Sequence, residues 1–167
     1  MMLGHKHIYT TLKHKYFVWV ASKRVGKIPF WQVLIHDLSK FSPDEFPAYH
    51  YHFHVAKDRG RDFAYAWLHH QRHNPHHWEY WVICAGNITR RESGAVDGVM
   101  EMPERYVREM VADWMAASRT HQGSWDISKW VNRNLPKIRL HPKSRELLLE
   151  VLEDVGVDLD KKYKEKT

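Results

Sequence analysis

The spacing of apolar residues predicts that most of the chain is helical. Residues 5–25 carry apolar side chains at helical spacing, and this stripe stops at Gly26, as helices often do. The stripe consists of Ile8, Leu12, Tyr16, Trp19 and Val20. The alternating residues 49–54 are strand-like, but they lie between helix signals and have no partner strand in the sequence.

Proline, glycine and capping residues divide the remaining sequence into further helices. The predicted helix starts are Pro29, Ser42-Pro43, the residue after Gly60, Asn74-Pro75, Pro103, Ser124 and Pro142. The last predicted helix ends at Gly156. We therefore predict an all-α fold.

Two segments lack a helical pattern. Residues 86–102 are polar and glycine-rich and are longer than a typical connection, which predicts either a functional loop or a disordered one. Residues 157–167 form a charged tail that we expect to fray. The sequence thus predicts one domain over residues 1–156 and a tail over residues 157–167.

Composition restricts the setting in which the protein acts. Its 167 residues suffice for one domain with a substantial core. The formal net charge of +6 favours anionic partners, although it is also explained by solubility alone. A single cysteine, Cys84, excludes an internal disulfide framework, and no apolar run is long enough to span a bilayer. We expect a cytoplasmic protein that does not engage membranes.

The sequence His36-Asp37 is the most informative feature of the chain. On a helix, Asp37 would share a face with Val33, Leu34 and Phe41, which should pack against other residues. A carboxylate on such a face needs a partner, and a divalent metal held also by His14 and Asp113 is one. Asp113 lies on or near an apolar helical stripe as well, one turn after Glu109.

These residues resemble a known superfamily. The order His14, His36-Asp37, Asp113 is similar to that of the HD-domain superfamily of metal-dependent phosphohydrolases, which are all-helical. A closer resemblance is to an uncharacterised HD-like family of phages and bacteria. It rests on HDxSKFSxxEFxxY from His36 to Tyr49, HxxxNxHH from His70 to His77, and EMxxDWxAAS from Glu109 to Ser118. The resemblance implies a single-domain HD-like helical bundle.

The resemblance also implies a set of metal ligands. In that superfamily the first His, the His-Asp pair and the last Asp hold one metal, and by motif matching these are His14, His36, Asp37 and Asp113. Asp37 also orients or deprotonates the attacking water. Some branches hold a second metal with further His residues, for which His70 and His77 are the candidates. The expected cofactor is one or two divalent ions of Mn, Fe, Co, Ni or Zn.

Several residues are candidates for binding the substrate. His76 and His77 lie where a helix is predicted to begin, and a helix N-terminus favours anions, so these two residues have a phosphate-binding interpretation beside the ligand one. Lys40 lies one turn after the His-Asp pair, where it would contact a phosphate or pair with Asp44 or Glu45. Arg90 and Arg91 in the predicted loop could close over an anionic substrate.

The leading prediction is a metal-dependent phosphoric ester hydrolase that acts on a nucleotide or another small phosphate ester. The first alternative is a di-iron oxygenase on the same type of scaffold. The second alternative is a non-catalytic helical protein that binds nucleic acid or another protein. The predicted partner is a small anionic substrate, with nucleic acid and a homo-oligomer both open, and the location is the host cytoplasm if the protein is phage-encoded.

Overall fold

A computed structural model, which describes residues 4–56, 60–83 and 94–164, confirms the all-α fold. Within these ranges the chain forms eight α-helices: α1 His5–Val25, α2 Phe30–Ile35, α3 Phe46–Tyr51, α4 Arg61–His73, α5 Glu104–Gln122, α6 Ser128–Asn134, α7 Pro142–Asp154 and α8 Lys161–Lys164. Shorter 3₁₀ or π turns cover Leu38–Phe41, His52–Ala56, Trp78–Trp81 and Leu135–Lys137. None of the helices among the described residues has both the length and the hydropathy needed to traverse a bilayer.

The ends of the long helices follow from glycine and proline. Gly26 ends α1 with a φ of +70°, and its N–H donates to the Ser22 carbonyl at 2.9 Å. Gly123 ends α5 with a φ of +75°, which an L side chain rarely adopts. Pro29 and Pro103 directly precede α2 and α5, while Pro142 is the first residue of α7, so each fixed φ supports the first turn of a helix.

An apolar core forms where α5 packs between α1 and α7. The carboxyl-terminal half of α1 contributes Ala21 and Val25. The buried side chains that complete the centre of this core are Val107, Met110, Val111, Leu148, Val151 and Leu152. This core fixes the long helix α5, whose opposite face carries Glu109 and Asp113.

The buried face of α1 differs from the apolar stripe that predicts the helix. Apolar residues at helical spacing normally face the core. Here Leu12 and Tyr16 are 53% and 57% exposed, and Ile8 and Trp19 are exposed as well. The buried residues of α1 are His7, Thr11, His14, Val18, Ala21 and Val25. The amino-terminal half of α1 therefore turns polar side chains inward and apolar ones outward.

Three predicted helix starts are wrong. Helix α3 begins at Phe46, because residues 42–45 form a tight turn in which the Ser42 carbonyl accepts from the N–H of Phe46 at 2.9 Å. Helix α6 begins at Ser128 rather than Ser124. After Asn74-Pro75 the chain forms only the 3₁₀ turn Trp78–Trp81.

The predicted boundary at residue 156 is also wrong. Val157 and Leu159 are 9% and 2% exposed and pack into the core that α1, α5 and α7 form. Tyr163 of α8 contacts the same core. Most residues of this segment are charged, so its composition does not reveal that Val157 and Leu159 are buried. Because both pack into the core, the domain continues beyond α7 and at least to Leu159.

The segment predicted as a polar loop is partly packed. Of residues 86–102, the structure describes 94–102, in which Ala95, Val99 and Met102 are buried. The Met102 N–H donates to Ser144 Oγ at 2.8 Å, and this contact ties the segment to α7. Arg90 and Arg91 lie outside the described residues.

Replacement of Leu159 by alanine tests the revised boundary. Leu159→Ala leaves a cavity in a packed core, so we expect the free energy of unfolding to fall by about 2–4 kcal/mol. Urea denaturation measures the change, and Lys162→Ala, at an exposed position three residues on, is the control. A loss below about 0.5 kcal/mol, as at ordinary surface positions, would show that the tail does not stabilise the domain.

Candidate metal centre

The His36-Asp37 pair lies at a break in the helix and not within it. Helix α2 ends at Ile35, and His36 is extended with φ −48° and ψ 127°. Asp37 is left-handed with φ 57° and ψ 20°, a conformation that Asp and Asn tolerate better than most residues. The expectation that Asp37 shares a helical face with Leu34 is thus wrong: Leu34 is 55% exposed and Asp37 is 1% exposed. Asp37 is nevertheless buried like Val33, four residues before it, so the inward side of α2 continues past the end of the helix.

One group of possible ligands combines three parts of the chain. His14 of α1, the His36-Asp37 pair and Asp113 of α5 place one donor atom each within 4.8 Å of one another. Asp113 Oδ1 lies 2.9 Å from His14 Nε2 and 3.4 Å from His36 Nε2. Asp37 Oδ2 lies 3.6 Å and 3.4 Å from the same two nitrogens. The four residues selected by the order of motifs are therefore brought together in space.

A second group uses the other oxygen of Asp37. Asp37 Oδ1 lies 3.3 Å from His70 Nε2 and 3.5 Å from His76 Nε2. His77 completes this group, again with all donor atoms within 4.8 Å. Asp37 belongs to both groups, with one carboxylate oxygen directed to each. This arrangement can hold two cations on either side of a shared carboxylate.

Several of the candidate ligand atoms in these groups have no hydrogen bond. Among the described residues, His36 Nε2, Asp37 Oδ1, His76 Nε2 and His77 Nε2 are buried and have no hydrogen-bond partner. A buried polar atom without a partner is costly, and such atoms are rare in folded proteins. Imidazole nitrogens and carboxylate oxygens that converge in this way fit the coordination chemistry of a divalent transition metal.

Carboxylates behind the imidazoles fix the orientation of the rings. His36 Nδ1 donates to Glu109 Oε1 at 2.8 Å, which leaves Nε2 directed at Asp37 and Asp113. His70 Nδ1 donates to Glu45 Oε2 at 2.9 Å, and Glu45 also accepts from His69 at 2.7 Å. Carboxylates commonly hold metal-binding histidines in this manner. The centre thus has an outer layer of acidic residues on α5 and at the start of α3.

The outer layer of carboxylates is only partly predictable from the sequence. Glu109 shares a helical face with Asp113, and this spacing is a usable signal. Glu45 is fully buried but is separated from its partner His70 by 25 residues, so no local pattern indicates the pairing. Gln32, which is buried and donates to Glu109, was missed because a lone glutamine in a short helix has no distinctive pattern.

Charge within the centre favours ionised carboxylates. Burial raises the pKa of Asp37, but His36, Lys40 and His70 outweigh it and hold the pKa well below the usual range. Burial likewise raises the pKa of Asp113, but the hydrogen bond from His14 and the charge of the nearby His36 outweigh this effect, so its pKa is also well below the usual range. Both residues are therefore anionic at neutral pH.

The candidate histidine ligands differ in the direction of their pKa shifts. Burial lowers the pKa of His76 and of His77 to well below the usual range, and neighbouring imidazoles add to the effect. Burial also lowers the pKa of His36, but Asp37, Asp113 and Glu109 outweigh it and raise the pKa well above the usual range. Neutral imidazole is the form that binds metals, so His76 and His77 could bind a metal without losing a proton, whereas His36 would have to release a proton first.

Two of the residues predicted to bind substrate, His76 and Lys40, differ in how far they are buried in the centre. The helix N-terminus expected at His76 does not form, so this basis for phosphate binding by His76 is wrong. His76 is 2% exposed, and its ring lies 4.3 Å from that of His36, with Nε2 3.5 Å from Asp37 Oδ1. Lys40 Nζ donates to Asp37 Oδ2 at 2.5 Å, and its side chain is 19% exposed. Lys40 therefore stands between the shared carboxylate and the exterior.

Two cavities lead to the centre. The first measures about 460 Å³ and is lined by His14, Asp37, Lys40, Asp113 and several aromatic rings. The second measures about 680 Å³ and runs along α5 to Trp130. Trp67, His77, Asp113 and His121 line both cavities. Asp113 and His77 thus lie where both cavities reach the candidate ligands.

Together the fold and the site define an all-helical protein with a buried centre of histidines and carboxylates suited to metal binding. The chain belongs to a family of unknown function, DUF5662, whose model matches residues 4–154. No curated protein and no solved structure matches the chain significantly.

Lys15 gives a test of how the break at His36 is held. Its ammonium group donates to the carbonyls of Leu34, at 3.0 Å, and of His36, and so satisfies the end of α2. We expect Lys15→Met to leave these carbonyls without a partner and to lower the free energy of unfolding by about 1–3 kcal/mol. Chemical denaturation measures the change.

The control for this test is Lys23→Met, at an exposed position in the same helix. It removes the same charge without touching the break, so we expect its unfolding free energy to stay within about 0.5 kcal/mol of the original protein. Equal losses in the two variants would mean that Lys15 acts only through general charge and not through the carbonyls.

Proposed function

We propose that the protein is a metal-dependent phosphohydrolase whose centre holds two divalent ions joined by Asp37. The observation that carries this proposal is the position of Asp37, which is buried and directs one oxygen to each of two groups of ligands. A structural role alone would need only one set of partners for that carboxylate. The order of these residues along the chain, which resembles that of HD-domain phosphohydrolases, supports the same function.

Each proposed site has its own set of residues. His14, His36, Asp113 and Asp37 Oδ2 would hold the first ion. His70, His76, His77 and Asp37 Oδ1 would hold the second. These imidazole and carboxylate donors suit Mn, Fe, Co, Ni or Zn, and the absence of thiolate among them disfavours a closed structural zinc site.

The proposed chemistry is hydrolysis of a phosphate ester. Divalent ions, when bound, lower the pKa of a coordinated water and neutralise charge on the phosphoryl oxygens. Asp37 is anionic and lies between the two groups, so it can help to orient the attacking water. Lys40 borders the first cavity and carries a positive charge, because burial lowers its pKa but Asp37 and Asp113 outweigh this and raise it. It can stabilise negative charge that develops on the phosphate.

The first cavity supports a small anionic substrate such as a nucleotide. At about 460 Å³ it lies within the range of pockets that enclose small molecules. Lys13 and Lys40 add positive charge to its walls, and Phe53, Phe63 and Trp67 provide aromatic surface for a base. Arg90 and Arg91 remain a prediction for substrate binding.

An oxygenase that uses two iron ions is the second candidate. The observation that favours it is the second group, in which three imidazoles accompany a single carboxylate, a donor set that suits iron as well as zinc. Iron in both sites of the purified protein, with oxygen consumption and no release of phosphate, would replace the hydrolase proposal with this one.

Metal content tests the two-site arrangement. Elemental analysis of protein purified without chelator should find about two equivalents of metal. We expect His70→Ala and Asp113→Ala each to lose about one equivalent, and Asp37→Ala to lose both, because only Asp37 serves both groups.

His73→Ala is the matched control, since His73 lies on the same helix one turn after the ligands but is exposed. It should keep the full metal content. If His70→Ala and His73→Ala retain metal equally, the second site is wrong. A protein that takes up no metal even after reconstitution would instead be a helical binding protein.

Hydrolysis tests the role of Lys40. Release of phosphate or nitrophenol from 5′-nucleotides and bis-p-nitrophenyl phosphate should require metal and stop with chelator. We expect Lys40→Met to lower kcat/KM by about 10²-fold while metal content is unchanged, since the lysine stabilises charge on the substrate. Lys27→Met, an exposed site paired with Glu104, is the control. Full activity in Lys40→Met would remove the lysine from the mechanism.

A further inference from the structure

The outer surface of α1 and α2 is apolar to an unusual degree. Five residues of α1 and six of the segment from α2 to the end of the next turn are exposed large hydrophobic residues. We call the surface formed by nine of these eleven residues the α1–α2 face, and it consists of Ile8, Leu12, Tyr16, Trp19, Phe30, Trp31, Leu34, Ile35 and Leu38. All nine are at least 38% exposed.

The two parts of the α1–α2 face are neighbours. Lys15, on the same side of α1 as Leu12 and Trp19, donates to the carbonyls of Leu34 and His36. Val18 of α1 packs with Val33 of α2 in one buried cluster. The exposed sides of the two helices therefore form one continuous surface.

We propose that a second copy of this chain covers the α1–α2 face and that the protein is a symmetric homodimer. From the exposed fractions, the nine residues present roughly 1,000 Å² to solvent. The largest apolar patch of a typical monomer covers only about 300–600 Å², whereas a stable interface buries about 800 Å² on each partner. The face is therefore too large for an ordinary surface and large enough for a stable dimer.

The composition of the face fits a self-association interface. It is rich in Trp, Tyr, Phe and aliphatic residues, as in the cores of homodimer interfaces. The middle of α1 is apolar on its outward side and also buries Val18 and Ala21 on the inward side. A helix that is apolar on both sides is normally enclosed by protein.

The charges around the face are compatible with a second copy. No Asp or Glu occurs between His5 and His36, so all charge here is basic. Lys15 is engaged with backbone carbonyls, and Lys23 lies over the ring of Trp19 at the carboxyl-terminal end of the stripe. An antiparallel pairing of two α1 helices about their middle separates the two Lys23 residues by roughly 25–30 Å, well beyond the screening length of about 8 Å.

Measurement of the molar mass of the full-length protein tests this proposal. Light scattering during size exclusion, and sedimentation equilibrium at micromolar concentration, should give twice the 20.0 kDa of one chain. Leu12→Glu and Leu34→Glu should each give the mass of one chain, because a carboxylate at the centre of the face would be buried without a partner. Both side chains are more than half exposed, so the fold of the monomer should survive, as circular dichroism can verify.

Leu68→Glu provides a matched control. Leu68 is 48% exposed on α4, outside the face, so the same substitution at similar exposure should leave the dimer intact. If a glutamate variant does not fold, Tyr16→Cys with Cys84→Ser gives a second test. Residue 16 lies next to the symmetry axis in the antiparallel pairing, so the two cysteines should form a linked dimer under mild oxidation.

Two results would overturn the proposal. One is a monomeric mass for the unmodified protein throughout the micromolar range, and the other is a dimer that both glutamate variants retain. A monomer that sediments with phosphatidylglycerol vesicles, and loses this property in Leu12→Glu, would assign the face to an anionic membrane surface instead. None of these measurements requires metal, so the outcome is independent of the proposed hydrolase function.

Discussion

The buried carboxylate of Asp37 is the constraint around which the site is arranged. A carboxylate at 1% exposure is costly unless opposite charge and hydrogen-bond donors surround it. Here His36, His70, His76 and Lys40 converge on its two oxygens. His36 and Lys40 are neighbours of Asp37 in the chain, whereas His70 lies on α4 and His76 follows that helix, so the position of one side chain determines how these segments must meet.

The bundle is divided into a polar half and an apolar half. On α1 the buried residues change from His7, Thr11 and His14 to Val18, Ala21 and Val25. On α5, Glu109 and Asp113 face the candidate centre, while Val107 and Val111 face the apolar core. The apolar half supplies the burial that holds the helices together. Its stability permits the other half to keep unpartnered imidazoles and carboxylates close to one another.

Much of the helical layout could be predicted from the sequence, because glycine and proline act locally. Gly26 and Pro142 mark helix ends through their own backbone preferences, which do not depend on the rest of the fold. The ligand groups were also predictable in part, since His36-Asp37 and Asp113 are residues that an apolar helix would otherwise avoid. What failed was the assumption that Asp37 lies on a helix.

The features that could not be predicted depend on contacts between distant segments. The role of Glu45 becomes clear only from its hydrogen bond with His70. The polar inward face of α1 is likewise explained only by the contacts of His14 with Asp37 and Asp113. Periodicity marks an apolar stripe on α1, but it cannot tell whether that stripe meets the core or the exterior. The buried anchor Leu159 was hidden because charged neighbours dominate the composition of its segment.

The break after α2 joins the two surfaces of this part of the molecule. Leu34, Ile35 and Leu38 point outward, while His36 and Asp37, which lie between them, are buried. Residues 32–33 of α2 are buried as well, so the buried positions 32–33 and 36–37 follow one side of a helical pattern that continues past the end of α2. The left-handed backbone at Asp37 ends the helix but keeps this side chain on the buried side. The same short segment therefore supplies candidate ligands to the metal centre and apolar side chains to the α1–α2 face. A partner that packs on this face would contact the residues on either side of His36 and Asp37, and would so affect the backbone that positions the Asp37 carboxylate.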